Sequence, residues 1–141
     1  MSISHRRVGL LGLLAVLAAV IAAAVVAAAS SAASNSSTVT LSEFKVAAAP
    51  KSVSHGKVTF KLKNAGDMEH ELVVIKTSKA ANELPVSYRR ASDKGSVGEV
   101  EDIASGKSKN LTLNLKKGHY VLLCNLPGHY KAGMRADFTV K

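Results

Sequence analysis

The feature that most restricts the fold of this chain is an alternation of apolar and polar residues that recurs in short runs. Residues 58–63 (VTFKLK) and residues 111–116 (LTLNLK) both alternate strictly. A period of two places successive side chains on opposite faces of a β-strand. Residues 70–75 are apolar on both parities, which predicts a strand covered on both faces. Turn-forming residues such as those at 64–67 separate the runs, so we expect an all-β antiparallel sandwich or barrel.

The rest of the pattern predicts further strands and one long connection. The remaining predicted strands lie at 39–46, 120–124 and 136–140. A slip in the alternation at Ser42-Glu43 is interpreted as a β-bulge. Residues 77–108 form the long connection, in which we expect a helical turn around residues 87–91.

The first 29 residues differ in composition from the rest of the chain. Residues 8–29 hold 22 consecutive positions without a charge, preceded by Arg6 and Arg7. The small and polar residues at 30–38 (SSAASNSST) follow. A basic end, an apolar middle and a small-residue exit are the parts of an export signal. As a helix the apolar run would extend about 33 Å, enough to span a bilayer.

Two outcomes of export stay open, a cleaved signal peptide and a retained anchor. In either case Arg6 and Arg7 favour the cytoplasmic side, so the residues that follow the apolar run are expected on the outer side of the membrane. The predicted organisation is therefore a signal peptide or signal anchor at 1–29, a flexible linker at 30–37, and a domain at 38–141. We expect this domain in the periplasm or on the outer face of the cytoplasmic membrane.

Composition excludes several classes of function. Cys124 is the single cysteine, so an intramolecular disulfide, a two-cysteine redox pair and a zinc site with two thiolates are excluded. The chain has no tryptophan and six Phe and Tyr residues, which argues against a stacking platform for nucleic acid. Residues 30–141 carry 17 Lys and Arg against 10 Asp and Glu, a formal charge of +7. These charges are spread over many predicted strands and turns, as on a solvated surface.

Three residues with metal-binding side chains follow one another at regular spacing near the end of the sequence. Cys124, His129 and Met134 supply a thiolate, an imidazole and a thioether at intervals of five residues. A trigonal plane of two histidines and a cysteine with a weak axial methionine is the blue-copper arrangement. The pattern predicts a site for one copper ion that needs a second histidine.

The positions of the histidines in the predicted strands and turns indicate which of them is the second histidine ligand. His119 lies five residues before Cys124 in a predicted strand, so it faces the opposite side. His55 lies in a turn, where a surface position is expected. His70 directly follows a predicted turn at the start of a strand, where a ligand on a loop end is expected. The predicted ligands are therefore His70, Cys124, His129 and Met134.

These residues resemble the cupredoxins, the family of type 1 blue copper proteins. The resemblance covers about residues 38–141 and depends on Asn64-x-Gly66-x₃-His70 and on the segment from Gly118 to Met134. The ligand spacing is more similar to that of rusticyanins and sulfocyanins than to that of plastocyanins. The resemblance implies a two-sheet Greek-key sandwich preceded here by the hydrophobic N-terminal helix. One position departs from the family: many members have Asn or Ser after the first histidine, where it ties the ligand-bearing loops together, and this chain has Glu71.

The resemblance also implies a function, one-electron transfer between larger redox proteins. No second group of histidines is present that would hold a catalytic copper, so we expect an electron carrier and not an enzyme. The expected protein is a monomer whose partners, a cytochrome or an oxidase, have an acidic contact surface. Lys131 and Arg135 beside the ligands would attract such a surface. The alternative is a copper-binding module for storage, delivery or sensing.

Overall fold

The computed structural model describes residues 35–141, and the predicted signal or anchor lies outside the described residues. The elements are β1 (Ser36–Ser42), β2 (Lys45–Ala49), β3 (Ser52–Val53), β4 (Gly56–Asn64), β5 (His70–Lys76), β6 (Val86–Ser87), β7 (Arg90–Ala91), β8 (Ser96–Ile103), β9 (Ser108–Leu115), β10 (Gly118–Leu123), α1 (His129–Ala132) and β11 (Arg135–Val140). Within these residues, no helix is long and apolar enough to cross a membrane.

Two sheets form the body of the domain. The four-stranded sheet has the order β2-β1-β4-β9, and the five-stranded sheet has the order β3-β11-β10-β5-β8. Apolar side chains from both sheets form one buried cluster, in which the Phe60 ring of β4 meets the Phe138 ring of β11 edge to face at 5.2 Å. The predicted all-β sandwich is confirmed. The expectation that its strands are all antiparallel is wrong, because β1 pairs with β4 and β3 pairs with β11 in parallel, so both sheets are mixed.

The strands of the two sheets differ in how many faces they bury. Along β4 the side chains of Val58, Phe60 and Leu62 are buried, while Lys61 and Lys63 are exposed. Along β5 every residue from His70 to Ile75 is buried. The expectation of a strand covered on both faces is therefore confirmed for β5.

A second apolar cluster covers the outer face of the five-stranded sheet. Residues 77–95, which we call the cover segment, supply Ala81, Leu84 and Ala91 to it. They pack against side chains from the outer faces of β5 and β10 and against Tyr130; the strand residues are Val73, Ile75, Val121 and Leu123. The cover segment is thus a further layer, which buries most of β5 and the second half of β10 on their outer faces.

Two predictions for irregular segments are wrong. The slip at Ser42-Glu43 is a hairpin turn, because Ser42 ends β1 and pairs with Lys45 at the start of β2. The alternation restarts there because the chain reverses direction. The expected helical turn is instead the short hairpin β6–β7, in which Val86 pairs with Ala91.

The structure also contains elements that the pattern did not indicate. Strand β8 lies inside the predicted connection, and it pairs with β5 at the edge of the five-stranded sheet. Its sequence, SVGEVEDI, is mostly exposed because an edge strand packs on few neighbours. Strand β1 begins at Ser36, two residues before the predicted start of the domain, because backbone pairing with β4 extends to Ser36 opposite Thr59.

Candidate metal centre

Strands β5 and β10 bring two of the predicted ligands to the same end of the sheet. The two strands are antiparallel neighbours, with Leu123 opposite Val73. The beginning of β5 therefore lies next to the end of β10. His70 is the first residue of β5, and Cys124 directly follows β10. Both side chains are fully buried.

The third ligand lies on the segment that joins β10 to β11, residues 124–134, which we call the ligand loop. Gly128 has a φ of 92°, a left-handed conformation that suits glycine, and the short helix α1 starts at the next residue, His129. The loop is closed at its base because the Cys124 N–H donates to the Met134 carbonyl at 3.1 Å. The Met134 N–H in turn donates to the His129 carbonyl at 3.0 Å. The loop thereby turns the His129 ring back toward Cys124.

The structure brings His70, Cys124 and His129 into one buried cluster. Cys124 Sγ lies 3.5 Å from His129 Nδ1 and 3.9 Å from His70 Nδ1. All three donor atoms lie within 4.8 Å of one another. A metal ion bonded in a trigonal plane to nitrogen at about 2.0 Å and to sulfur at about 2.3 Å separates its donors by about 3.5–3.8 Å. The described side chains therefore already have the spacing of a three-coordinate metal site.

Burial shifts the pKa values of two of these donors, Cys124 and His129. It raises the pKa of the Cys124 thiol, so the sulfur keeps its proton at neutral pH until a metal ion displaces it. It also lowers the pKa of His129, an effect that the neighbouring His70 reinforces. The His129 imidazole is accordingly neutral at physiological pH and has a lone pair to offer.

The Glu71 backbone supports the sulfur directly, and its side chain joins the two ligand-bearing segments. The Glu71 N–H points at Cys124 Sγ from 3.5 Å, where it stabilises a thiolate. Glu71 Oε1 accepts the Asn125 N–H at 3.0 Å. Burial raises the pKa of this carboxyl group, and the Arg90 guanidinium 4.0 Å away opposes that shift. Glu71 therefore makes the connection that the family resemblance assigns to Asn or Ser.

Asn125 fastens the cover segment to the ligand loop. Its side-chain oxygen accepts the Ala91 N–H at 2.7 Å, and its amide nitrogen donates to the Ala91 carbonyl at 3.0 Å. Its carbonyl accepts a hydrogen bond from Arg90 at 2.9 Å. The hairpin β6–β7 and the residue after the cysteine ligand consequently hold each other in place.

Glu43 is a part of the site that the sequence did not reveal. It lies in the β1–β2 turn of the four-stranded sheet, and its Oε1 is 3.0 Å from His70 Nε2. An acidic residue in a turn has no sequence pattern that distinguishes it from a solvated surface charge. Only the meeting of the two sheets places Glu43 beside a residue 27 positions away.

The other sequence candidates have different surroundings. Met134 is completely buried at the end of the ligand loop, and its role as axial ligand stays a prediction. His119 Nδ1 faces the Thr77 carbonyl at 2.8 Å, and its Nε2 faces Asp137 at 2.9 Å. His55 Nδ1 faces the Lys141 carbonyl at 3.0 Å. Neither histidine takes part in the cluster.

A two-sheet sandwich with a buried cysteine and two histidines at one end defines the class of copper-binding cupredoxins. Residues 30–141 match the family described as copper binding proteins, plastocyanin/azurin family. The chain belongs to this family. No individually curated protein sequence matches the chain.

Similar solved structures have the same fold. Auracyanin from Roseiflexus castenholzii is 25% identical, with a TM-score of 0.58 over 77% of this chain and 98% of that chain. Azurin from Methylomonas sp. strain J is 20% identical, with a TM-score of 0.56 over 77% and 99%. Rusticyanin from Thiobacillus ferrooxidans is 17% identical, with a TM-score of 0.58 over 76% and 78%.

The donor set fits the metal that the family binds. One cysteine thiolate and two histidine imidazoles are soft and borderline donors, which suit copper. His70, Cys124 and His129 are therefore the ligand group for one copper ion. Their convergence confirms the copper prediction.

Proposed function

We propose that this protein is an exported type 1 blue copper protein that carries one electron at a time between redox partners. The observation that carries the proposal is the buried His70–Cys124–His129 cluster, whose donor atoms all lie within 4.8 Å of one another. Bound copper supplies a one-electron Cu(II)/Cu(I) couple. We do not propose catalysis, because protein side chains supply all the proposed copper ligands and leave no coordination position open for a substrate.

The scaffold favours a carrier because it holds the ligands rigidly. His70 and Cys124 adjoin the two strands that are covered on both faces, β5 and β10. Glu71 and Asn125 then fix the ligand loop to β5 and to the cover segment. A preorganised site undergoes little rearrangement between oxidation states, so the barrier to electron transfer stays low.

Met134 completes the site in this proposal as a weak axial ligand. Its backbone is held next to Cys124 by the hydrogen bond at the base of the ligand loop. Its side chain is fully buried, and a thioether is the usual axial donor of a blue-copper site.

The electron leaves through His129 in this proposal. His129 is 7% exposed, and its ring meets the Phe44 ring edge to face at 5.4 Å. The Phe44 side chain is itself exposed, so it contributes apolar surface beside His129. A small apolar surface allows a partner to approach closely and to leave quickly.

We propose that the partner presents an acidic surface and that the carrier works as a monomer outside the cytoplasm. Lys131 is exposed on α1, and Arg135 begins β11 beside the ligand loop. Opposite charges accelerate association, and salt weakens the effect. The rate of electron transfer to an acidic redox protein is expected to fall as ionic strength rises, and a salt-independent rate would contradict this part. Mass spectrometry of the N-terminus from the native host distinguishes a cleaved signal from a retained anchor.

The main experiment compares the wild-type chain with two variants. After addition of Cu(II), the wild type is expected to give an intense thiolate-to-copper band and a reversible couple in cyclic voltammetry. Cys124→Ser should abolish the band because it removes the sulfur, and His119→Ala should retain it because His119 lies outside the cluster. Tight Cu(I) binding without a stable Cu(II) form would favour the storage or delivery module instead. A colourless wild type with full Cu(II) occupancy would exclude the type 1 assignment.

A further inference from the structure

Glu43 makes three contacts around the first histidine ligand. Its Oε1 accepts the Met68 N–H at 2.8 Å, and the same oxygen lies 3.0 Å from His70 Nε2. Its Oε2 accepts the Asp67 N–H at 3.1 Å. The carboxylate thus reaches from the four-stranded sheet to the backbone before β5 and to the ligand itself.

We propose that Glu43 is a positioning residue that selects the tautomer of His70 and favours Cu(II) over Cu(I). Nε2 then carries the ring proton and donates a hydrogen bond to the carboxylate, while Nδ1 faces Cys124 Sγ with a free lone pair. A carboxylate that accepts this hydrogen bond makes the imidazole a stronger electron donor, which stabilises the more highly charged ion. The proposal rests on the copper function proposed above.

The burial of His70 gives this contact its importance. The His70 side chain is 0% exposed, whereas that of Glu43 is 25% exposed. A buried ring N–H needs an acceptor, because water cannot replace a lost one. Glu43 provides that acceptor and remains in contact with solvent on its other side.

The surrounding backbone is shaped to admit the carboxylate. A Cβ atom on Gly66 would lie 2.4 Å from Glu43 Oε1 and 2.5 Å from Oε2, so only glycine leaves room for both oxygens. The Gly66 N–H donates to Asn64 Oδ1 at 2.9 Å, and Asn64 Nδ2 donates to the Met68 carbonyl at 2.7 Å. The motif Asn64-x-Gly66-x₃-His70 therefore forms a cradle for Glu43 as well as an approach to the ligand.

The same contacts suit the carboxylate form of Glu43. Two backbone N–H groups, those of Asp67 and Met68, donate to its oxygens, and such donors favour an anionic acceptor.

The test separates this role from a purely structural one with three variants. Glu43→Gln keeps the shape of the side chain and replaces the anionic acceptor with a weaker neutral one. Gly66→Ala retains the charge but displaces the carboxylate, because the added methyl group occupies its place. Glu69→Gln is the matched control, since it removes an exposed charge next to His70 that forms no hydrogen bond or ion pair with the ring.

The first readout is the reduction potential of the copper-loaded proteins together with their affinities for Cu(II) and Cu(I). Loss of a hydrogen bond to a ligating histidine costs about tenfold or more in metal affinity. A tenfold loss of Cu(II) affinity with unchanged Cu(I) affinity raises a one-electron potential by about 59 mV. We expect a rise of this order for Glu43→Gln, a rise in the same direction for Gly66→Ala, and a much smaller change for Glu69→Gln.

Equal shifts for Glu43→Gln and Glu69→Gln would overturn the proposal, because both would then reflect the loss of a charge alone. An unchanged potential in both Glu43→Gln and Gly66→Ala would overturn it as well. Such a result would leave Glu43 with only its bonds to the Asp67 and Met68 backbone.

The second readout does not require copper. Nitrogen NMR of the His70 ring in the metal-free protein is expected to show the proton on Nε2 in the wild type and in Glu69→Gln. A mixture of tautomers is expected in Glu43→Gln. A wild-type ring with its proton on Nδ1 would contradict the proposal. This measurement stays informative if the blue band is absent, so failure of the proposed function and failure of the Glu43 role are distinguishable.

Discussion

The two sheets share one core but differ in what lies on their outer faces. The four-stranded sheet leaves Lys61 and Lys63 of β4 exposed to water. The five-stranded sheet buries Val73 and Ile75 of β5 beneath the cover segment. Strands with solvent on one face open locally at a lower cost than strands packed on both faces. The copper ligands adjoin the doubly covered strands, so the site is built on the part of the domain that resists opening most.

The two sheets also contribute differently to the surroundings of the copper ligands. All three ligands of the cluster belong to β5 or to the ligand loop, which joins β10 to β11, and these three strands belong to the five-stranded sheet. The four-stranded sheet contributes Glu43, which contacts one ligand from outside the metal plane. One sheet therefore supplies the bonds to the metal, and the other adjusts the strength of one of them.

The largest effect on stability is expected in the apolar cluster between the five-stranded sheet and the cover segment. Ile75→Ala removes a fully buried side chain from the cluster under the cover segment. We expect a loss of about 2–5 kcal/mol in the free energy of unfolding, because the cavity adds to the lost burial. Lys61→Ala on the exposed face of β4 is the matched control and should stay within about 0.5 kcal/mol. Urea unfolding of both variants measures the difference, and similar losses would refute the comparison.

An intermediate effect is expected where the cover segment is attached to the ligand loop. The Tyr130 hydroxyl donates to the Ala81 carbonyl at 2.6 Å and accepts the Leu84 N–H at 3.0 Å. Tyr130→Phe leaves both buried partners unsatisfied, at a cost of about 1–3 kcal/mol. Tyr120→Phe is the control, because its hydroxyl partner, the Lys116 carbonyl, lies on an exposed residue and can bond to water.

Chemical denaturation of the two tyrosine variants is expected to rank Tyr130→Phe as the more damaging. The reverse order would mean that the cover segment adds little to the stability of the five-stranded sheet.

The smallest effect on stability is expected on the solvent-exposed face of the four-stranded sheet. Thr59 of β4 and Thr112 of β9 are cross-strand partners whose hydroxyl groups lie 2.9 Å apart. Thr59→Ala should cost only about 0.2–1 kcal/mol, because water replaces the lost hydrogen bond. Thermal unfolding checks this value, and a loss as large as that of Ile75→Ala would show that this face is not solvated.

The sequence predicted the parts of the fold that depend on local pattern. The alternation at 58–63 and the double-sided run at 70–75 indicated how many faces β4 and β5 bury, because burial follows hydrophobicity along a strand. The spacing of Cys124 and His129 indicated the metal cluster, because one loop holds both residues. The choice of His70 succeeded because a strand start next to a turn is a geometric position that a pattern can identify.

The parts that depend on contacts between distant segments could not be predicted. Glu43 and His70 meet only because the sandwich closes, and nothing local to residue 43 indicates a neighbour. The hairpin β6–β7 turns at Tyr88 and Arg89, which have positive φ angles of 45° and 67°. Glycine, asparagine or aspartate usually marks such a turn, and none occurs there. The polar strand β8 lacked a pattern because its edge position leaves most of its side chains in water.

The position of β11 in its sheet links the geometry of the site to the pairing of the last described strand. β11 is the last described strand to leave the ribosome, yet it lies between β3 and β10, with Val140 opposite both Val53 and Gly118. The ligand loop is anchored at its far end only when β11 has paired. A nascent chain that stops short of residue 135 therefore holds a cysteine and two histidines without a fixed geometry. The ligand cluster is therefore complete only in a chain whose β11 has paired with β10.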